Sequence, residues 1–253
     1  MGERLPGGNA GGAMLVEGTV RRPAGAWTPA VHALLSHLHD HGFDRAPRPL
    51  GYDSEGRETL TYLIGETVGD LKPWPTWVHA DETLIQVADW LRDYHHAVAD
   101  FIPPADASWR LGGTWESGQI ICHNDAAPYN AAWRNGRLAG VFDWDFAGPA
   151  LPEWDVAFTA CAWVPLHARH VATAEGFTDF SERPRRLATF LDRYGWEGEI
   201  SDLLRVLDRR LEAHGNEVAR LADAGDALFQ RLVDRGVLRD VGIARAELAD
   251  FPH

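Results

Sequence analysis

The chain has 253 residues, 45% of them hydrophobic, and sets 24 Lys and Arg against 37 Asp and Glu for a formal net charge of −13. This is enough chain to bury a sizeable core, as one large domain or as two lobes, and so acidic a protein suits neither nucleic acid nor an anionic membrane as partner. Two cysteines without metal-type spacing, Cys122 and Cys161, and the lack of any apolar run of membrane-spanning length point to a reduced, cytoplasmic protein.

Leu5–Gly12 reads LPGGNAGG. Glycine at this density lets backbone amides approach a ligand closely, and it also describes a frayed terminus. Ala13–Glu17 and Thr19–Arg22 read as short strands joined at Gly18. Thr28-Pro29 starts a helix, and Val31, Leu34, Leu35 and Leu38 form one apolar face that Gly42 ends. The last turn carries His37 and His41, four apart on one face. The pair suits either a zinc site without a third ligand nearby or the favourable end of the helix dipole.

Pro47–Glu66 alternates and is punctuated by turns, as a hairpin completing a small sheet does. Gly65, Gly69, Pro73 and Pro75 then mark a linker. Trp74 and Trp77 within it read as packing aromatics or substrate contacts. Asp81–Phe101 is a long amphipathic helix, stopped by Pro103-Pro104, with His95 on its apolar stripe.

Ile120–Gly148 carries the chemistry: His123-Asn124-Asp125, then Asn130, then Asn135-Gly136, then Asp143 and Asp145 around Trp144. Asn-Gly signals a type I′ hairpin, because both turn residues need positive φ. Ala131–Arg134 and Arg137–Phe142 are the expected strands, so Asn130 and Asp143 meet at the open end. Asp125 lies on the loop entering that end. Two hard-oxygen ligands beside a further carboxylate suit magnesium shared with phosphate. Phosphoryl transfer needs that metal and a carboxylate to take the acceptor hydroxyl's proton.

After Asp155 the chain reads as helical, with apolar stripes over 187–194, 203–221 and 228–233 closed by Gly195 and Gly236. Asp202, Asp208, Glu212, Glu217, Asp223 and Asp226 lie between the stripes, as a solvated face or as the lining of a cationic pocket. Strands early and in the centre, with helices elsewhere, give an α+β class.

His-x-Asp-x-x-x-x-Asn followed by Asp at a strand end resembles the catalytic core of the aminoglycoside phosphotransferase family. The resemblance implies a protein-kinase-like fold, with a sheet-rich N-lobe over 1–66 and a mainly helical C-lobe over 67–253. It implies an ATP- or GTP-dependent kinase acting on a hydroxyl of a small, conceivably cationic molecule. Asp125 would be the base, His123 the brace of its loop, and Asn130 and Asp143 the Mg²⁺ ligands. Asp155 would be a buried carboxylate steadying the loop. Arg21, with Arg22 as alternative, would face the nucleotide phosphates, and the backbone of Tyr62, Leu63 and Ile64 would meet the base. Two departures from the family pattern stand out. The first helix carries no Glu to pair with the strand cation, only His32 nearby, and Asn124 stands where Gly is usual. They leave a second reading open: a degenerate kinase fold that binds nucleotide or small molecules without transfer. A His37–His41 metallohydrolase is a third. The acceptor, the choice of ATP or GTP and the oligomeric state are not legible in the sequence.

Overall fold

The computed structural model describes residues 2–5, 12–69 and 72–252. The glycine-rich stretch, expected to cover phosphates, lies outside the described residues over positions 6–11. The chain divides into two compact units: Met1–Asp70 with Asp89–Asp155, and Leu71–Ala88 with Val156–His253. The first unit therefore extends past the expected boundary at residue 66 and takes in the central stretch.

The first unit holds β1 (Glu3–Arg4), β2 (Met14–Val16), β3 (Thr19–Arg22), α1 (Thr28–Asp40), β4 (Pro49–Tyr52) and β5 (Glu58–Thr61). The strands form one antiparallel sheet in the order β1-β2-β3-β5-β4. Glu17 and Gly18, both at positive φ, make the tight turn between β2 and β3. Helix α1 starts with Pro in its first turn and buries Ala30, Val31, Leu34, Leu35 and Leu38, the stripe its sequence spacing announces.

Helix α2 spans Asp81–Val98, and the division between the units falls within it. In the first unit it contributes Trp90 and Tyr94, which stack on each other and meet Trp144 edge-on, with His123 against Trp144 at 4.4 Å. All four are buried. An aromatic pair adds about 0.5–1.5 kcal/mol beyond the area it buries. The polar tips are satisfied: Trp90 donates to the Arg45 carbonyl, Trp144 to that of Val141, and the Tyr94 hydroxyl to that of Ile121.

Two small strand pairs follow. β6 (Ile120–Cys122) pairs with β9 (Gly148–Ala150), and between them β7 (Ala131–Arg134) pairs with β8 (Arg137–Val141). Asn135 and Gly136 sit at φ +52° and +72°, the geometry of the expected type I′ turn.

The second unit is helical: α3 (Pro152–Trp163), α4 (Arg169–Glu175), α5 (Arg183–Tyr194), α6 (Ile200–Asp223), α7 (Ala227–Asp234) and α8 (Val237–Ala249), with the first turn of α3, through Asp155, belonging to the first unit. Its core includes Trp74, Trp163, Phe177, Leu187, Phe190, Leu203, Leu207 and Phe229. Trp74 meets Phe177 edge-on, so it is a packing aromatic. Arg186 is buried, and its guanidinium donates to the carbonyls of His79 and Trp163 and to Asp81. Five of the six acidic residues between the helical stripes have internal uses. Asp208 and Glu212 pair with Arg245, Glu217 with Arg220, and Asp202 with Arg205, while Asp226 caps α7. Among the described residues, no helix is long and apolar enough to cross a membrane.

Candidate active site

The hairpin register brings the open end together. Ala131 opposes Val141, and one step further the Phe142 amide donates to the Asn130 carbonyl at 2.9 Å. Asn130 and Asp143 therefore leave the same end of the β7–β8 pair, as their spacing predicts. Asp143 sits at φ +62°, a left-handed conformation that Asp tolerates better than most residues.

The loop carrying Asp125 is fixed from beneath. Asp155 is fully buried and accepts from the backbone amides of His123 (2.8 Å) and Asn124 (2.9 Å), with His95 Nε2 at 3.3 Å. Burial alone would raise the Asp155 pKa; the contacts with His95 and His123 outweigh it and hold the carboxyl below its ordinary value. His95 is thus a core histidine with a partner. His123 accepts from the Asp125 amide through Nδ1 and donates from Nε2 to the Phe142 carbonyl. That pairing is the neutral tautomer with both nitrogens used, and burial accordingly lowers its pKa.

Asn124 lies at φ +65° and donates from Nδ2 to the Phe146 carbonyl. This resolves one departure: the position needs a left-handed residue, which Gly or Asn supplies, and Asn adds a tether.

Asp125 is partly exposed. Its Oδ1 accepts from the Tyr129 hydroxyl at 2.8 Å and its Oδ2 from Asn130 Nδ2 at 2.8 Å. A carboxylate offers about four lone-pair directions, and these two contacts fix the orientation of the Asp125 carboxylate. Asn130 uses its nitrogen on Asp125, which leaves its amide oxygen for a cation.

The sheet supplies one cation to this end, and it is Arg22. The residue forks three ways: Nε to Glu58 (2.5 Å), one terminal nitrogen to Asp143 (2.8 Å) and the other to Asp145 (2.7 Å). Burial alone would lower the Arg22 pKa; Asp143, Asp145 and Glu58 overcome it and hold the group above its ordinary value. Arg21 alternates to the other side and reaches Asp53 at 3.9 Å. Glu58 also meets His32 Nε2 at 3.0 Å. The carboxylate missing from the helix is thus supplied by β5, directly across the ladder from Arg22, with His32 of α1 bound to its other oxygen. Sequence reasoning sought that carboxylate on the helix, and only the β3–β5 register reveals it.

Asp145 is nearly buried between Arg22 and Arg110, the latter at 3.1 Å. Burial pushes its carboxyl up, Arg22 opposes, and Asp143 adds to the rise. Arg110 lies over the rings of Trp27 and Phe146 at 4.5 and 5.2 Å. Sequence reasoning left Arg110 out, because it lies in an irregular stretch with no periodic signal.

After β5 the chain passes along β7. Glu66 and Trp133 exchange both backbone hydrogen bonds, and a Cβ on Gly65 would lie 2.7–2.8 Å from the Trp133 backbone. Ile64 is exposed. Among the described residues, Tyr62, Leu63 and Ile64 make no backbone–backbone hydrogen bond outside the strands.

An amide oxygen and a carboxylate oxygen are the hard donors that magnesium takes. Arg22 occupies Asp143 Oδ1 and leaves Oδ2, so the residues present fit that ion.

Comparison with known proteins extends this picture. Residues 106–198 match the model of the phosphotransferase enzyme family. The chain is 34% identical over 220 residues to the trifolitoxin immunity protein of Rhizobium leguminosarum bv. trifolii, covering 83% of this chain and 82% of that one. Among solved structures, a choline/ethanolamine kinase family protein from Mesorhizobium loti aligns with a TM-score of 0.62 at 14% identity, over all of this chain and 89% of that one. The amicoumacin kinase hAmiN, solved with AMP-PNP, Ca²⁺ and Ami, aligns with a TM-score of 0.61 at 11% identity, over 98% and 88%. At these identities the likeness to the two structures is one of fold: protein-kinase-like, with an antiparallel sheet in the N-terminal part and helices in the C-terminal part.

Proposed function

This chain belongs to the phosphotransferase enzyme family, and from that premise we propose that it transfers the γ-phosphoryl group of ATP or GTP to a hydroxyl of a small molecule. The observation that carries the reading is Asp125, partly exposed and oriented by Tyr129 and Asn130, at the same strand end as Asp143. Asp125 takes the acceptor's proton as its oxygen attacks phosphorus. His123, neutral and buried, holds the Asp125 backbone. Asn130 and Asp143 hold magnesium, which when bound neutralises charge on the phosphate oxygens. Arg22, in preference to Arg21, is the cation beside the phosphates. The backbone of Tyr62, Leu63 and Ile64, which follows β5, receives the base.

The similarity to a trifolitoxin immunity protein supports an antimicrobial compound with a free hydroxyl as the acceptor class. The internal pairing of the helical acidic residues gives no support to a strongly cationic acceptor.

The test is nucleotide turnover against a panel of hydroxylated antimicrobials, with wild type, Asp125→Ala and Asp143→Ala. Loss of a general base costs about 10²–10⁴-fold, so Asp125→Ala should lose transfer by that factor while retaining Mg-nucleotide binding. Asp143→Ala should lose the magnesium-dependent rise in Tm that nucleotide gives the wild type. Nucleotide binding without turnover on any acceptor would favour the binding-module reading; no nucleotide binding would sink the kinase reading and leave a small-molecule binding module.

A further inference from the structure

We propose that His37, His41 and Asp100 form a site for a divalent transition-metal cation, separate from the magnesium ligands and independent of the phosphotransfer reading. The two histidines occupy the last turn of α1 and its cap, with ring centroids 4.0 Å apart. Asp100, just past the end of α2, closes the cluster. Its Oδ1 lies 3.3 Å from His37 Nε2 and its Oδ2 lies 3.9 Å from His41 Nε2. One donor atom from each residue falls within 4.8 Å of the others. A tetrahedral ion with bonds of about 2.0–2.1 Å holds its ligand atoms roughly 3.3 Å apart; His37 and Asp100 already stand at that spacing, and the His41 ring must move in to join them.

The tautomer is already set for one ligand. His41 Nδ1 lies 2.8 Å from the His37 carbonyl, a contact it makes only as a donor, so the proton sits on Nδ1 and the Nε2 lone pair is free. A backbone carbonyl bound to the second ring nitrogen is the usual outer support of a metal-binding histidine. His37 Nε2 lies 3.0 Å from the Ala97 carbonyl; coordination displaces that hydrogen bond, which lowers the affinity.

The place suits a cation. The last carbonyls of α1 give it the negative end of a helix dipole. His41 and Asp100 are exposed, at 48% and 72% of their side-chain surface, so an ion can enter and keep water in its remaining positions. Imidazole with a carboxylate selects zinc, nickel, cobalt or copper over magnesium. A bound ion would tie the end of α1 to the segment that follows α2.

The test uses the untagged chain, stripped with chelator and titrated with Co²⁺ and Zn²⁺ in the presence of excess Mg²⁺. One equivalent of Co²⁺ should bind with visible absorption bands of low-symmetry coordination. Removing a ligand should weaken binding about tenfold or more, so His41→Ala and Asp100→Asn should each do so, while His39→Ala should not. Zinc should raise the Tm of the wild type and not of the two ligand variants. Both substitutions fall at exposed positions, and far-UV circular dichroism confirms that the variants fold. No saturable Co²⁺ binding at millimolar concentration, or binding that survives both substitutions, overturns the site.

Discussion

Glu58 is the residue whose replacement tests the site's construction most directly. It is 1% exposed and binds Arg22 and His32 through separate oxygens. Glu58→Gln keeps the shape and removes the charge. A charge-assisted hydrogen bond contributes about 1.5–3 kcal/mol and a neutral one about 0.5–1.5 kcal/mol, so the exchange should cost about 1–2 kcal/mol. Arg22 would still hold Asp143 and Asp145, which limits the loss. Glu58→Ala leaves the Arg22 Nε and the His32 ring without their carboxylate. Breaking a buried pair in this way costs about 3–5 kcal/mol. For a chain of this size, each kcal/mol moves Tm by about 2–4 °C, so the alanine variant should melt well below the glutamine one. Calorimetry reads both. If Arg22 serves the phosphates, Glu58→Gln should also raise the KM for Mg-nucleotide more than it lowers kcat. An alanine variant melting with the wild type would show that Glu58 does not hold Arg22.

Three further outcomes are expected. Gly65→Ala places a methyl against the Trp133 backbone and should cost about 1–3 kcal/mol as overpacking, read as a lower Tm, whereas Gly56→Ala, open around its Cβ, should cost less despite its positive φ. Arg22→Lys replaces a three-way fork by a compact ammonium, so Tm should fall and the KM for nucleotide should rise together; unchanged values would remove Arg22 from the site. In the helical unit, burial alone would lower the His167 pKa, but its contacts with Cys161 and Glu175 push it up to about 10 from 6.5. Its contribution to stability is therefore full below pH 6.5 and is lost as pH rises through about 10, with a slope of at most about 1.4 kcal/mol per pH unit. His167→Gln should flatten the fall in Tm over that range.

The features legible in the sequence are those with a local cause. Asn135-Gly136 dictates its turn through backbone sterics, and that turn alone places Asn130 beside Asp143. The stripe of α1 and the glycines after α5 and α7 are equally local. What escaped reading depends on register and distance. The strand holding Pro149 pairs with Ile121, a short pairing set by where the central hairpin returns the chain. Alternation puts Arg21 and Arg22 on opposite faces but does not say which face looks inward; the β3–β5 ladder decides for Arg22 by setting it across from Glu58. Asp100 is far along the chain from His37, so a histidine pair that looked short of a third ligand has one in space.

The charge around Arg22 supports the divalent ion in the proposed chemistry. Arg22 and Arg110 pair with three carboxylates at this end of the unit, Glu58, Asp143 and Asp145, and Asp125, bound to Asn130, is a fourth. Two positive charges against four negative leave the end anionic, and the low dielectric around the buried Asp145 strengthens each term. A polyphosphate approaching alone is repelled. Arg22 cannot reverse this, since its fork is already spent on three of the four carboxylates. What the site lacks is mobile positive charge, and the oxygens left over on Asn130 and Asp143 are the kind that bind it. On the proposed reading, the arrangement that holds Arg22 in place would make nucleotide binding depend on magnesium, so removing the metal should abolish binding rather than merely weaken turnover.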